Sequence, residues 1–341
     1  MIRFPVVLAI AAVGAGLALI PAASAGAGFE DAVAAYQRGD YTTALKELQP
    51  LAEQGDARAQ HNLGVLHGDG KGVARDRAAA ADWYRKAAEQ GFAQAQNDLG
   101  LAYQHGLGVA EDLGEAANWY RKAAEQGLAI AQHNLGILLV EGKGVTADAG
   151  EGAEWFRKAA AQGLAQAQNN LGLLLALGRG VARDDATAVA WFLKAADQGD
   201  AKAQFSLARH HELGRGVARD LAEAAAWYRK AADQGHGDAQ NNLGVLYATG
   251  HGVARDLGEA AKWLRKAANQ GYPMAQHSLG ILYAKGEGVP QDDVAALVWL
   301  DLAASLGNAF AARDRAIVAR RMTAERIAEA EKQARAWKAD K

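Results

Sequence analysis

The chain has 341 residues, 50% of them hydrophobic and 22% charged, with 39 Gly, 5 Pro and no Cys. A net charge of −2 leaves no basic excess to neutralise a phosphate backbone, so no nucleic-acid partner is expected. The lack of cysteine excludes disulfides, thiolate nucleophiles, Cys-based zinc sites and a lipoprotein-type lipid anchor.

In chain order, the first segment reads as an export signal. Arg3 gives a short positive start, Val6 to Ile20 is apolar apart from Gly14 and Gly16, and Ala23-Ser24-Ala25 fits a small-x-small cleavage site. Residues 1–25 are therefore expected to be a signal peptide cleaved after Ala25, placing the mature chain in the periplasm or the secreted space. The rival is an uncleaved anchor, because an apolar run of about 17 residues is near the lower edge for a spanning helix. Nothing later in the chain is apolar enough to span a bilayer, so no integral membrane segment is expected after cleavage.

From residue 56 to 307 the chain repeats. Trp83, Trp119, Trp155, Trp191, Trp227, Trp263 and Trp299 recur every 36 residues without an insertion. Gln60, Gln96, Gln132, Gln168, Gln204, Gln240 and Gln276 keep the same period, as do Leu63, Leu99, Leu135, Leu171, Leu207, Leu243 and Leu279. A fixed period of this size marks a solenoid, in which each unit buries its apolar face only against its neighbours. In the first full repeat, Ala59, Leu63 and Leu66 give one apolar stripe over residues 57–67, helix A. Ala80, Trp83, Ala87 and Ala88 give another over residues 77–90, helix B. The Trp column is read as a structural knob supplying bulk between helices.

Punctuation supports these limits. Asp76 stands at the N-cap of helix B, followed in period by Asp112, Asp148, Asp184, Asp220, Asp256 and Asp292. Glu115, Glu151, Glu223 and Glu259 lie three residues further on, as in a capping box where the Glu reaches back. Gly91 and its equivalents end helix B as left-handed residues. Gly64, Gly100, Gly136, Gly172, Gly244 and Gly280 lie inside helix A, which costs roughly 1 kcal/mol each and implies close approach of helices A and B. The turn Gly70-Lys71-Gly72-Val73 lacks the preceding strand and third Gly of a dinucleotide loop, so it is read as a structural turn.

These features resemble the Sel-one-like repeat family, a branch of the tetratricopeptide-type α-solenoids. Its pattern A-x-A-Q-x-x-L-G, G-x-G-V, E-A-x-x-W-Y-R-K-A-A-x-Q-G stands here as Ala93-Gln94-Ala95-Gln96 to Leu99-Gly100, Gly106 to Val109, Glu115-Ala116 and Trp119 to Gly127. The resemblance implies an all-α, right-handed solenoid of helix-turn-helix repeats, with the A helices lining the concave face. Residues 26–55, with Tyr36-Gln37-Arg38-Gly39-Asp40-Tyr41, Ala44 and Leu48, look like a tetratricopeptide-type hairpin cap. Seven full repeats follow at 56–307, and residues 308–341 read as capping helices, with Thr323 as an N-cap.

Function is expected in the variable columns of helix A. One row runs His61, Asn97, His133, Asn169, Phe205, Asn241, His277; the next runs Asn62, Asp98, Asn134, Asn170, Ser206, Asn242, Ser278. Rows of amide and imidazole groups can bond an extended peptide backbone, beside the aliphatic row Val65, Leu101, Ile137, Leu173, Val245, Ile281. The competing reading places that aliphatic row in the helix–helix core and leaves the polar row merely solvated. His61 and His133 lie two repeats apart, at about 10 Å per repeat, so they cannot share a metal ion, and neither a metal nor a cofactor is expected. The fifth repeat departs from the pattern over Gln204-Phe205-Ser206-Leu207-Ala208-Arg209-His210-His211-Glu212, with Arg209 in the aliphatic row; a specific contact and sequence drift both account for this. His211-Glu212 is not a zinc-protease motif, because Arg215 occupies the position of the second His. No G-x-S-x-G elbow or other catalytic constellation appears. The expected function is therefore an exported scaffold that binds a protein or peptide, and not an enzyme. The alternatives are an enzyme or small-molecule binder of the cell envelope, β-lactam or cell-wall related, and a lumenal secretory-pathway adaptor. Some cysteine-rich relatives are associated with β-lactams, but that property has no residues to rest on here.

Overall fold

A computed structural model describes residues 27–337, and every regular element among them is an α-helix. The expected signal peptide lies outside the described residues. The chain forms two compact units that divide between Arg183 and Asp184. The first holds α1 (Ala27–Gln37), α2 (Tyr41–Glu53), α3 (Ala57–Asp69), α4 (Arg77–Glu89), α5 (Ala93–His105), α6 (Leu113–Glu125), α7 (Ala129–Glu141), α8 (Ala149–Ala161) and α9 (Ala165–Leu177). The second holds α10 (Asp185–Asp197), α11 (Ala201–Leu213), α12 (Leu221–Asp233), α13 (Gly237–Thr249), α14 (Leu257–Asn269), α15 (Pro273–Lys285), α16 (Asp293–Ser305), α17 (Ala309–Ala319) and α18 (Ala324–Ala336). This is an all-α solenoid in which, from α3 to α16, odd helices are A and even helices are B. None of the described helices is long and apolar enough to cross a membrane.

Each A-to-B turn uses two left-handed glycines. Gly70 caps α3 at φ 72°, and the amide of Lys71 returns to the Leu66 carbonyl. The second glycine, Gly72, presses on the preceding helical hairpin: a Cβ there would lie 2.6 Å from the Tyr41 carbonyl oxygen. Gly108, Gly144, Gly216, Gly252 and Gly288 meet the first residue of the preceding helix B in the same way. Two demands therefore fall on one position, a positive φ and no side chain, and only glycine meets both.

The B-to-A turn is shorter. Gly91 adopts φ 90°, and the amide of Phe92 returns to the Ala87 carbonyl, closing α4. Phe92 is also the extended N-cap residue of α5, so the backbone of one residue serves two helix ends, its amide closing α4 and its carbonyl accepting from the Gln96 amide. At the start of helix B the aspartates cap as expected, with Asp112 accepting from the amides of Gly114 and Glu115. The reach-back half of the capping box does not form. The amide of Asp148 donates instead to the Leu139 carbonyl of the preceding helix A, and Asp112, Asp220 and Asp256 do likewise. Glu151, freed from that role, pairs with Arg121 of the previous helix B at 2.6 Å and accepts from the Trp155 indole at 3.1 Å.

The packing corrects the role expected for tryptophan. The helix-A glycines face the residue after it: a Cβ on Gly100 would lie 2.7 Å from the Tyr120 ring, and one on Gly136 would lie 2.7 Å from the Phe156 ring. Tyr120, Phe156, Phe192, Tyr228 and Leu300 are fully buried, whereas Trp83, Trp119, Trp191 and Trp299 are half-buried. Only Trp155, Trp227 and Trp263 are buried in that column. Each indole except that of Trp299 lies under the ammonium of the lysine three residues on, at 3.6 Å for Lys230 over Trp227 and 4.1 Å for Lys266 over Trp263. Trp299 has no such lysine and packs edge-on against Trp337. The tryptophans thus seal the rim of the core, and its centre belongs to the residues beside them.

At the start of the chain, Phe29, Ala32, Ala35, Ala44 and Leu48 form one cluster with Ala59, Leu63 and Leu66, so the first hairpin covers the first repeat. At the other end α17 keeps the register of an A helix, 36 residues after α15. It is capped by Asn308, while Thr323 caps α18.

Placing a branched side chain at Gly136 forces Phe156 from its seat, so Gly136→Val is expected to cost about 1–3 kcal/mol. Urea unfolding of the variant measures this, and an unchanged midpoint would show that the glycine–ring contact does not govern the packing.

Candidate functional site

The glutamine column of helix A proves to be a fastener between repeats. Gln60 donates to the Ala52 carbonyl of the preceding helix at 3.0 Å and accepts from Gln90 of the following helix at 2.7 Å. Gln96 and Gln132 repeat both bonds in the first unit, and Gln204 and Gln240 repeat them in the second. One buried carboxamide therefore ties three successive helices. Gln276 makes the backward bond to Ala268, but Leu306 stands where its forward partner would be, and its Oε1 is unpaired.

The rows expected to line a peptide groove are placed mostly inside. His61, Asn62, Asn97, His133, Asn134, Asn169 and Asn170 are each no more than 3% exposed. Their polar atoms join neighbouring A helices at a fixed offset of 37 residues. His61 Nε2 lies 2.8 Å from Asp98, Asn134 Nδ2 donates to Asn97 Oδ1 at 3.1 Å, Asn170 Nδ2 lies 3.0 Å from His133 Nε2, and His277 Nε2 lies 2.9 Å from Asp314. These seven side chains are withdrawn from solvent, which corrects the expectation that the row meets a ligand directly. A buried amide atom left without a partner costs about 1–3 kcal/mol, so most such groups are paired within the fold. Asn62, at the head of the ladder, has no partner on either amide atom.

The remaining candidates are half-buried. Asp98 takes bonds from His61 and Asn97. In the fifth repeat Phe205 cannot make the rung, and its ring stacks on His236 at 4.7 Å. Asn242 then turns to the Tyr228 hydroxyl at 3.1 Å and takes a bond from Asn241. Tyr228 in turn donates to Glu212 at 2.6 Å, and Arg209 Nε stands 3.9 Å from the same carboxylate. His210 bonds the Ser206 carbonyl at 2.8 Å and packs on Phe192. The departures at Phe205, Arg209 and Glu212 are thus one linked rearrangement.

Burial sets the protonation of the histidines. His133 sits deep in the first unit, and desolvation pulls its pKa from 6.5 down to about 4. His210 and His236 are lowered by the same cause. Asp314 is held below the ordinary carboxylate range by its bond from His277.

Of the large apolar side chains that the A helices present to solvent, only Val245 belongs to the aliphatic row read from the sequence. Leu177, Leu213, Val245, Met274, Phe310 and Ile317 are the large apolar side chains of A-type helices that remain exposed. The 36-residue spacing carries a signal for two pairs of them: Met274 precedes Phe310 by one period, and Leu177 precedes Leu213 by one.

The fold and these inter-repeat bonds define a solenoid of helical hairpins. The Sel1 repeat model matches seven consecutive stretches, residues 57–92, 93–128, 129–164, 165–200, 201–236, 237–272 and 273–308. The chain belongs to the Sel1 repeat family. It is similar to a Sel1 repeat protein from Oxalobacter formigenes, at 38% identity over 84% of each chain with a TM-score of 0.69. It is also similar to c5321, described as a protective antigen present in uropathogenic Escherichia coli strains and displaying an SLR fold. That likeness runs at 30% identity over 91% of this chain and 83% of the other, with a TM-score of 0.58. No curated protein matches the chain.

Asn97→Ala removes the acceptor of Asn134 and a donor to Asp98, and is expected to cost about 1–3 kcal/mol; chemical denaturation reads the loss. His133 has a folded pKa below its unfolded value, so the unfolded state gains the proton first, and stability falls as pH drops from 6.5 towards 4. His133→Asn should flatten that part of the pH–stability curve, measured as melting temperature across the interval, and an unaltered slope would contradict the assignment.

Proposed function

We infer that this protein is an exported scaffold that holds a protein or peptide partner on the face formed by its A helices. Sel1 repeat proteins serve in general as protein-interaction scaffolds, and the chain is built from seven such repeats. The observation that carries the reading to that face is the exposed apolar pair on the A helices of the second unit, Leu213 and Val245. The half-buried Phe205 and Arg209 share a helix with Leu213, Asn241 and Asn242 share one with Val245, and the half-buried His277 lies on the next A helix. Exposed apolar side chains at recurring positions of a repeat array are the kind of surface a partner covers. Export rests on Arg3, the apolar stretch from Val6 to Ile20 and the Ala23-Ser24-Ala25 site.

One experiment addresses both parts. The chain is expressed with residues 1–25 attached, recovered from the periplasm of a bacterial host, and its first residue is read; Gly26 is expected, and retained Met1 would count against cleavage. That species is then cross-linked in an envelope extract beside Val245→Glu and Leu213→Glu variants. Loss of the captured partner in these variants, and its retention in Leu193→Glu on the exposed side of helix α10, is the expected pattern. Identical capture by all four proteins would exclude the A-helix face.

A further inference from the structure

Among the described residues α17 is the last A-type helix, and its outer stripe is uncovered. Phe310, Arg313, Ile317 and Arg320 follow one another at i, i+3, i+7 and i+10, so they share one face. Phe310 is 62% exposed, Ile317 is 56% exposed and the Arg313 side chain is 69% exposed. One period earlier, Met274 is exposed and His277 and Ile281 are half-buried on α15. Other described helices carry at most one exposed large apolar side chain each, so α17 stands apart.

The ladder states what chemistry belongs on this stripe. Arg313 occupies the column of His61 and His277, whose side chains reach the second column of the following A helix. Both of those basic side chains are answered there by an aspartate, Asp98 at 2.8 Å and Asp314 at 2.9 Å. Among the described residues no A helix lies beyond α17, and α18 packs on α16. Arg313 bonds its neighbour Asp314 through Nε at 3.1 Å and its guanidinium lies 5.9 Å from the centre of the Phe310 ring, while its outer nitrogens join no ion pair among the described residues. The surroundings have the same sign: Arg320 and Lys285 are exposed and join no ion pair among the described residues, while Arg321 and Arg315 are already paired with Asp293, Asp301 and Glu331.

The geometry points to the stripe of α17 as a docking site for an acidic amphipathic helix of a partner protein. That helix lies where the next A helix would, with a carboxylate on Arg313 and apolar side chains over Phe310 and Ile317. Alternating apolar and cationic positions along one helix face select apolar and acidic positions on the other. The proposal rests on the scaffold reading and names a partner class and a place for it.

The test uses the full chain and a fluorescein-labelled, stapled helical peptide carrying Leu and Glu on one face, followed by fluorescence anisotropy. Saturable binding is expected. Phe310→Ser and Arg313→Glu should each weaken it by about tenfold or more, and a peptide with Lys in place of Glu should regain binding to Arg313→Glu. Both side chains are exposed, so circular dichroism and melting temperature should match those of the unaltered chain. Equal binding by all variants overturns the site. A concentration-dependent dimer that Arg313→Glu abolishes assigns the stripe to a second copy, and binding to phosphatidylglycerol vesicles but not to the peptide assigns it to a lipid surface; either result overturns the proposal. If the stripe variants behave like the unaltered chain while Val245→Glu still loses its captured partner, the scaffold reading stands and the stripe assignment falls.

Discussion

A single buried carboxamide per repeat fixes where each helix must stop and where its neighbours must begin. Gln60 and its equivalents as far as Gln276 donate to a carbonyl eight residues back, and Gln60, Gln96, Gln132, Gln204 and Gln240 accept from a side chain thirty residues ahead. The backward bond satisfies a carbonyl at the end of a B helix, one of the groups a helix cannot satisfy alone. The forward bond positions the end of the next B helix. The glycine turns follow from this, because helices tied at both ends leave little chain for the corners, and the corners then need positive φ.

The second layer of order is the offset ladder among A helices. It explains why the A helices tolerate so many polar residues inside. In α7 the whole run from Ala131 to Val140 is buried, including Gln132, His133 and Asn134, and the polar members mostly bond forward or backward along the stack. Where Phe205 interrupts the ladder, the adjoining groups rearrange together: Asn242 goes to Tyr228, Tyr228 to Glu212, and Phe205 to His236. Polar networks of this kind are set by completeness, and one changed member obliges the others to find new partners.

Much of this was legible in the sequence. The 36-residue period gave the number of repeats, the helix limits and the aspartate caps, because caps and turns are local and depend on residues a few positions apart. The centre of the core was not legible. Recurrence drew attention to tryptophan, yet the glycine of helix A faces the residue after it, twenty positions ahead of the glycine, which varies among Tyr, Phe and Leu and so makes a fainter column. The polar rows misled for a related reason. An A helix is enclosed by neighbours on several sides, so its polar residues do not mark a solvent face, and the 37-residue offset joining them shows only when two columns are compared across repeats. The exposed stripe on α17 was hidden because its neighbours read as a generic charged cap.

The fixed offsets have a consequence for how such a chain changes length. Every fastener joins residues separated by a set number of positions, 30 for the glutamines and 37 for the ladder. A single residue added to any corner would throw the side chains beyond it out of step with those before it. Duplication or loss of a whole 36-residue block restores every pairing at the new junction. The molecule can therefore grow or shrink in whole repeats with little penalty, while intermediate lengths are mechanically mismatched, which makes recombination between repeats a more accessible route to variation than small insertions.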